Sequence, residues 1–273
     1  MIADVKIAAH PYGYVRVLHG GDLYRAAPLI FADIKLGGYD GIELMHTMLE
    51  PEGAEEEMLA LSERNELPIM GSSFGGNLWD PELSDEWLRK TERIAAQIAG
   101  LGGFHLGIST GSTGQPKTDE QLDTQAEVVR QMIDICAAEG VVLNAHNHTY
   151  EVDWGQHELR GMLKRIPGLK LGPDLNWLRM AGLDPWQFVR EHGDRIVFMH
   201  LRPQRDDAWV QTLQESDDEW LTLPEIIDDI DFSGWVAMEL AFRAEHPVTR
   251  PMGENYRLCA EQLRAVLKQE ATA

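Results

Sequence analysis

A single-domain α/β chain closed into a (β/α)8 TIM barrel is the fold predicted by three features of the sequence. Its 273 residues are close to the roughly 250 that such a barrel occupies. Eight short apolar runs alternate with eight amphipathic stretches, and the runs start at intervals of roughly 30 residues, the size of one βαβ unit. The turn after the first run, HPYGYVRVLHGGD, carries neither GxGxxG nor GxxxxGKS/T, so an open doubly wound nucleotide-binding sheet would lack its phosphate loop. No Ser-, Pro- or Gly-rich linker and no low-complexity tract divides residues 1–273, and one domain is expected.

In chain order, the apolar run Val5 to Ala9 is read as the first strand and amphipathic Tyr24 to Leu36 as the first helix. Gly41 to Met45 precedes Glu52 to Arg64, Pro68 to Ser72 precedes Ser84 to Ile98, and Phe104 to Ile108 precedes Asp119 to Ala138. The second half continues with Val141 to His146 and Gln156 to Arg165, then Leu169 to Asp174 and Asp184 to Glu191. Ile196 to Leu201 with Leu223 to Asp229, and Trp235 to Leu240 with Asn255 to Lys268, complete the eight units. The acidic segments Glu50 to Glu57 and Glu215 to Glu219 read as solvated faces.

Composition narrows the function. Hydrophobic residues make up 44% and charged residues 25%, with a mean hydropathy of −0.29, as in an ordinary globular protein. Against 45 acidic residues stand 24 Lys and Arg, a net charge of −21 and a pI of about 4.8. Such a field repels polyphosphate surfaces, so nucleic acid and anionic membranes are excluded as partners. The start MIADVKIAAHPYG lacks the basic, apolar and small-residue succession of a secretory signal, and no apolar run reaches the roughly 18 residues of a membrane span, so a cytoplasmic location is expected. Cys136 and Cys259 form no CxxC pair, which disfavours disulfide and zinc-finger frameworks.

A barrel of this kind carries its chemistry on the rim formed by the carboxyl ends of its strands. The fifth to eighth predicted strands end in His146, Asp174, His200 and Glu239. Two imidazoles and two carboxylates make a mixed N/O donor set for one divalent ion such as Mn, Zn, Co, Ni or Fe, with manganese the first choice and all-oxygen Mg less suited. Glu239 stands between Met238 and Leu240 in an apolar run, where a carboxylate must be paired or bound to a cation. Alternation along a strand gives His148, Asn176 and Arg202 the same facing as His146, Asp174 and His200. His10, His46 and His105 are read as hydrogen-bonding or loop residues.

The segments GIEL (41–44), VVLNAHNHTYEV (141–152), GPDLNWLRMAGLDP (172–185), RIVFMHLRP (195–203) and WVAMEL (235–240) together resemble the xylose isomerase-like TIM-barrel superfamily, which includes sugar phosphate isomerase/epimerase proteins and relatives of endonuclease IV. The resemblance runs from about Val5 to Leu267. It implies a metal held by Glu, Asp, His and Glu. Asp174, His200 and Glu239 match that pattern, while His146 stands at the first glutamate position. The HNH followed by Tyr150 and Glu151 is similar to a branch of inosose dehydratases and of lyases or hydratases acting on 3-keto sugars. Pro203 departs from the HLKD or HLRD run of many relatives, which implies a shifted substrate preference.

The activity so implied is a metal-dependent sugar isomerase or epimerase, working by proton transfer next to a carbonyl through an enediolate. A dehydratase or lyase acting on a keto-sugar, keto-glycoside or inosose is the alternative, and a non-catalytic sugar-binding or partner barrel the second. Candidate acids and bases are Glu239, His148, Glu43 and Glu151. An imidazole tied to a metal cannot readily exchange a proton with substrate, so His146 argues against an epimerase with two symmetric carboxylates. Trp79, Trp154 and Trp177 are candidates for stacking on a sugar ring, and Arg202 and Arg243 for orienting its oxygens. Lys117 is the nearest isolated candidate for a phosphate handle. The partner expected is a small carbohydrate, and a homo-oligomer is compatible with the resemblance. An endonuclease-like activity would need three zinc ions and a basic surface, which the charge of −21 opposes.

Overall fold

The structure is a computed structural model that describes residues 5–243 and 246–269. The first half of the chain runs β1 (Lys6–His10), α1 (Leu23–Leu36), β2 (Gly41–Met45), α2 (Ala54–Asn65), β3 (Ile69–Gly75), α3 (Ser84–Gly100), β4 (His105–Ser109) and α4 (Asp119–Ala138). The second half runs β5 (Val142–Ala145), α5 (Thr149–Arg165), β6 (Lys170–Leu171), α6 (Leu175–Met180), α7 (Pro185–His192) and β7 (Phe198–Leu201). A two-stranded hairpin of β8 (Gln204–Arg205) and β9 (Ala208–Trp209) follows, then α8 (Leu223–Asp229), β10 (Trp235–Glu239) and α9 (Met252–Gln269).

All eight predicted strands form one parallel sheet in the order β6-β5-β4-β3-β2-β1-β10-β7. Two isolated parallel bridges, Leu171 to Ile196 and Asp174 to His200, join its ends and close the barrel. Closure leaves no free edge, and it brings two of the rim residues side by side.

Strand alternation puts the site on top of a small apolar plug. Ala8, Phe198 and Ala237 pack with Met70 in a cluster of their own. Two residues further along the same strands, and therefore on the same face, stand His10, His200 and Glu239. The remaining apolar side chains lie between strands and helices, in one large cluster that includes Ile30, Phe31, Leu44, Val236 and Tyr256 and a second that includes Ile94, Leu106, Val129 and Met132. Cys136 and Cys259 are buried free thiols.

Three elements differ from expectation. β6 stops at Leu171 rather than Asp174, because Gly172 and then Pro173, which has no N–H, interrupt the ladder. The helix expected from Gln156 begins at Thr149 and is broken at residues 153–156, where Trp154, Gly155 and Gln156 have positive φ. α6 falls in a stretch read as loop; it has six residues, too few for an apolar period to show, and is started by the Asp174 carboxylate accepting from the Asn176 and Trp177 N–H groups.

Close approach of strands explains one glycine. A Cβ on Gly71 in β3 would collide with the backbone carbonyl and imidazole of buried His105 in β4. Gly71→Ala is therefore expected to destabilise the barrel by about 1 to 3 kcal/mol through overpacking, read as a lower denaturant midpoint at unchanged m-value.

Candidate active site

His146 follows β5, Asp174 is the N-cap of α6, His200 lies in β7 and Glu239 ends β10. All four side chains are buried, and one ligand atom from each lies within 4.8 Å of the others. His200 Nδ1 is 3.2 Å from His146 Nδ1 and 3.3 Å from Glu239 Oε2. Its other nitrogen, Nε2, is 2.6 Å from Glu43 Oε2. The Glu43 carboxylate can accept the Nε2–H, which would turn the Nδ1 lone pair toward the other three residues, as an outer carboxylate orients an imidazole ligand. Glu43 is wholly buried and off the cavity wall, so the structure places it against His200 rather than where a substrate would lie.

The charges do not balance within the protein. Glu43, Asp174 and Glu239 face a single guanidinium, that of Arg202, whose Nε lies 2.6 Å from Asp174 Oδ2 and Nη2 2.8 Å from Glu239 Oε1. With the imidazoles neutral, three carboxylates against one arginine leave two negative charges in a buried pocket, where uncompensated charge is costly. Burial works to lower the His200 pKa, yet Glu43 and Glu239 outweigh it and hold the ring above its ordinary value. Burial works to raise that of Glu239, yet Arg202, His10 and His200 hold it well below the usual carboxylate range. Burial and the neighbouring His200 push His146 well below an ordinary imidazole. One divalent cation among the inward lone pair of His200, neutral His146, Asp174 and Glu239 would satisfy donors and charge together, so the residues fit a metal.

His146, His200, Glu239 and Arg202 line a rim cavity of about 390 Å³, and Asp174 lies behind Arg202, off its wall. His148 and Trp177 line it, and so does Arg202, although its guanidinium is engaged by the two carboxylates and lies 5.5 and 4.9 Å from the ring centres of Trp177 and Trp209. Arg202 is therefore a fixed part of the wall rather than a free handle for substrate oxygens. Asn176 lies a layer behind, its side chain accepting from the Arg202 N–H at 2.7 Å and donating to Gln204 at 3.1 Å.

Several candidates lie elsewhere. Glu151 is buried behind the wall, bonded to Ser109, Thr110 and the His148 backbone. Arg243 is exposed, Trp79 is half-buried beside the cavity without lining it, and Trp154 is 50% exposed on the helix break. Lys117 cannot be a phosphate handle: it is buried, 2.7 Å from Glu158 and 2.8 Å from Gln125. Conversely, His10, His46, Ser109, Tyr150 and Trp209 line the cavity. Of these, His10 ends its strand as Glu239 does and as His200 nearly does, and that period-two signal was available; Trp209 comes from a hairpin with no sequence signature.

Residues 31–265 match the family model described as xylose isomerase-like TIM barrel. The chain belongs to that family. The family's fold recurs in solved structures at low identity. A D-allulose 3-epimerase from Methylomonas sp., in complex with D-allulose, is 16% identical with a TM-score of 0.75, covering 98% of this chain and 97% of that one. A 3-keto-D-glucoside 4-epimerase from E. coli is 18% identical with a TM-score of 0.75, covering 96% and 100%. A D-psicose 3-epimerase with D-tagatose, from Clostridium cellulolyticum H10, is 14% identical with a TM-score of 0.72, covering 98% of both. A search of curated protein sequences found no match. No helix among the described residues is long and apolar enough to cross a membrane.

The orienting role of Glu43 is testable without a substrate. Glu43→Gln is expected to weaken divalent-ion binding by about 10- to 100-fold while leaving the fold intact, measured by competition with a chromophoric chelator. Unchanged affinity would remove Glu43 from the account.

Proposed function

We propose that this barrel is a metal-dependent sugar isomerase or epimerase that moves a proton on a carbon next to a carbonyl. The observation that carries the reading is the buried set of His146, Asp174, His200 and Glu239, three of which line an aromatic-walled cavity, with three carboxylates meeting one guanidinium there. The cavity volume of about 390 Å³ is that of a small-molecule site. Trp177 and Tyr150, on either side of His148, supply apolar faces of the kind that stack on sugar rings. The sugar epimerases that share the fold support the same substrate class.

A divalent ion, with manganese our first choice for this mixed N/O donor set, would supply Lewis-acid polarisation of a substrate carbonyl oxygen when bound by the four residues. The chain itself must supply the base. Glu239 is a weak one, because Arg202, His10 and His200 hold it ionised. His148 is the stronger candidate: it faces the cavity, and burial and Arg202 keep its ring neutral at pH 7. It would take the proton from the C–H while the bonding pair moves to the carbonyl oxygen, and return it to the other face or to the neighbouring carbon.

One observation favours a second reading. Arg202 ties up Glu239, so the cavity offers one unencumbered base rather than two opposed carboxylates, which suits β-elimination or hydration of a keto-sugar or keto-glycoside.

Incubating manganese-loaded protein with a panel of ketoses and 3-keto-glycosides in D2O separates these outcomes by NMR and mass spectrometry. Deuterium at a carbon next to a carbonyl in an isomeric product supports isomerisation or epimerisation, and loss of water or of an aglycone supports elimination. His148→Gln is expected to lower kcat by about 10²- to 10⁴-fold in either case. No exchange with any member of the panel would contradict catalysis and favour a binding role.

A further inference from the structure

Behind His148 lies a hydrogen-bonded group that the proposed chemistry does not use. Ser109 Oγ, at the end of β4, is 3.0 Å from His148 Nδ1, 2.7 Å from the Tyr150 hydroxyl and 2.6 Å from Glu151 Oε1. Glu151 in turn accepts the Thr110 N–H on Oε1 at 3.0 Å and the His148 N–H on Oε2 at 2.8 Å. The Ser109 hydroxyl and the Thr110 and His148 N–H groups all donate or can donate to this carboxylate, an arrangement that fits the ionised form. Among the described residues its neighbour able to carry a positive charge is the His148 ring, whose Nδ1 lies 3.8 Å from Oε2; the ion pair of Lys117 with Glu158 is reached through Thr110.

Counting protons resolves the directions. A serine hydroxyl donates once and accepts twice. With Glu151 ionised, the Ser109 proton goes to Oε1, so the two remaining neighbours must donate to Oγ. Tyr150 donates across its shorter contact, 2.7 Å to Ser109 against 3.2 Å to His148. His148 must then carry its proton on Nδ1. Its ring is clamped in that orientation by Tyr150, stacked at 9° with ring centres 5.2 Å apart, and by Trp177 at 5.4 Å. The remaining nitrogen, Nε2, has no protein partner among the described residues, on a ring that lines the cavity.

We propose that Ser109 and Glu151 are positioning residues that hold His148 as the Nδ1–H tautomer, with the Nε2 lone pair presented to substrate in the rim cavity. A neutral imidazole in water prefers its proton on Nε2, the wrong form for a base at that nitrogen, so the relay reverses an intrinsic preference. It also places a carboxylate one hydroxyl away from the positive charge that His148 acquires on taking a proton. His148 as base rests on the proposed function above; its tautomer does not.

The test is 15N NMR of histidine-labelled full-length protein loaded with diamagnetic zinc, at pH 9, where Glu151, pushed up to about 7 by burial, is ionised. The His148 signals are assigned by their loss in His148→Gln. The expected wild-type spectrum shows Nδ1 protonated and Nε2 bare. Ser109→Ala should move the proton to Nε2, Ser109→Thr should retain the wild-type form, and Glu151→Ala, which frees the Ser109 hydroxyl to donate to the ring, should behave as Ser109→Ala does. Circular dichroism checks that each variant folds, and Ser109→Ala alone decides the matter where Glu151→Ala does not. A wild-type His148 protonated on Nε2, a zinc-bound His148 nitrogen, or an Nδ1–H form that persists in Ser109→Ala would overturn the relay. Because the tautomer is read without turnover, a failed substrate screen leaves this result standing, and a failed relay leaves the substrate screen informative.

Discussion

Negative charge buried at the mouth of the barrel is the constraint on which the site depends. Glu43, Asp174 and Glu239 are almost fully removed from water and meet one guanidinium. Carboxylates persist in such a place only with cations or hydrogen-bond donors close by, and the surroundings are arranged to provide them. Arg202 packs against the indole rings of Trp177 and Trp209, His200 bridges Glu43 and Glu239, and Asp174 caps α6 with the oxygen that Arg202 does not use. What remains unmatched corresponds to a divalent ion. The donor set can be stated because His200 has one nitrogen committed to Glu43 and the other directed at the group.

The barrel makes this cluster possible from residues far apart in the chain. Glu43 and His200 are separated by 157 positions and meet at 2.6 Å because β2 and β7 point into one closed interior. The final bridge between Asp174 and His200 is both part of the closure and part of the site. Burial of the charged group and closure of the sheet are therefore linked: loosening β6 against β7 separates two of the four candidate ligands.

Much of this was legible in the sequence because strand periodicity carries the information. The eight strands follow from apolar runs at βαβ spacing, and the four residues of the cluster follow from their place at strand ends. What was not legible depended on side-chain reach and on short irregular elements. Nothing in the GIEL segment tells whether Glu43 faces substrate or lies beneath His200. Arg202 has the facing that alternation gives it, but its capture by Asp174 and Glu239 depends on side-chain reach and on the β8–β9 hairpin that brings Trp209 near it. Trp79, Arg243 and Trp154 were chosen for chemistry near the rim, and loop geometry carries them away from the cavity. Lys117 looked free because its partner, Glu158, comes from α5, a pairing across the fold that no local spacing reveals.

The central claim is that one divalent cation occupies the space among His146, Asp174, His200 and Glu239. Anomalous diffraction from crystals of the protein grown with manganese, recorded with the X-ray energy above and below the metal edge, tests it most directly. The account predicts one strong anomalous peak within coordination distance of all four side chains, with His200 still bonded to Glu43. An empty difference map at that position, with Arg202 bridging the two carboxylates in the presence of saturating manganese, would contradict it and leave the guanidinium as the only cation the site was built to hold.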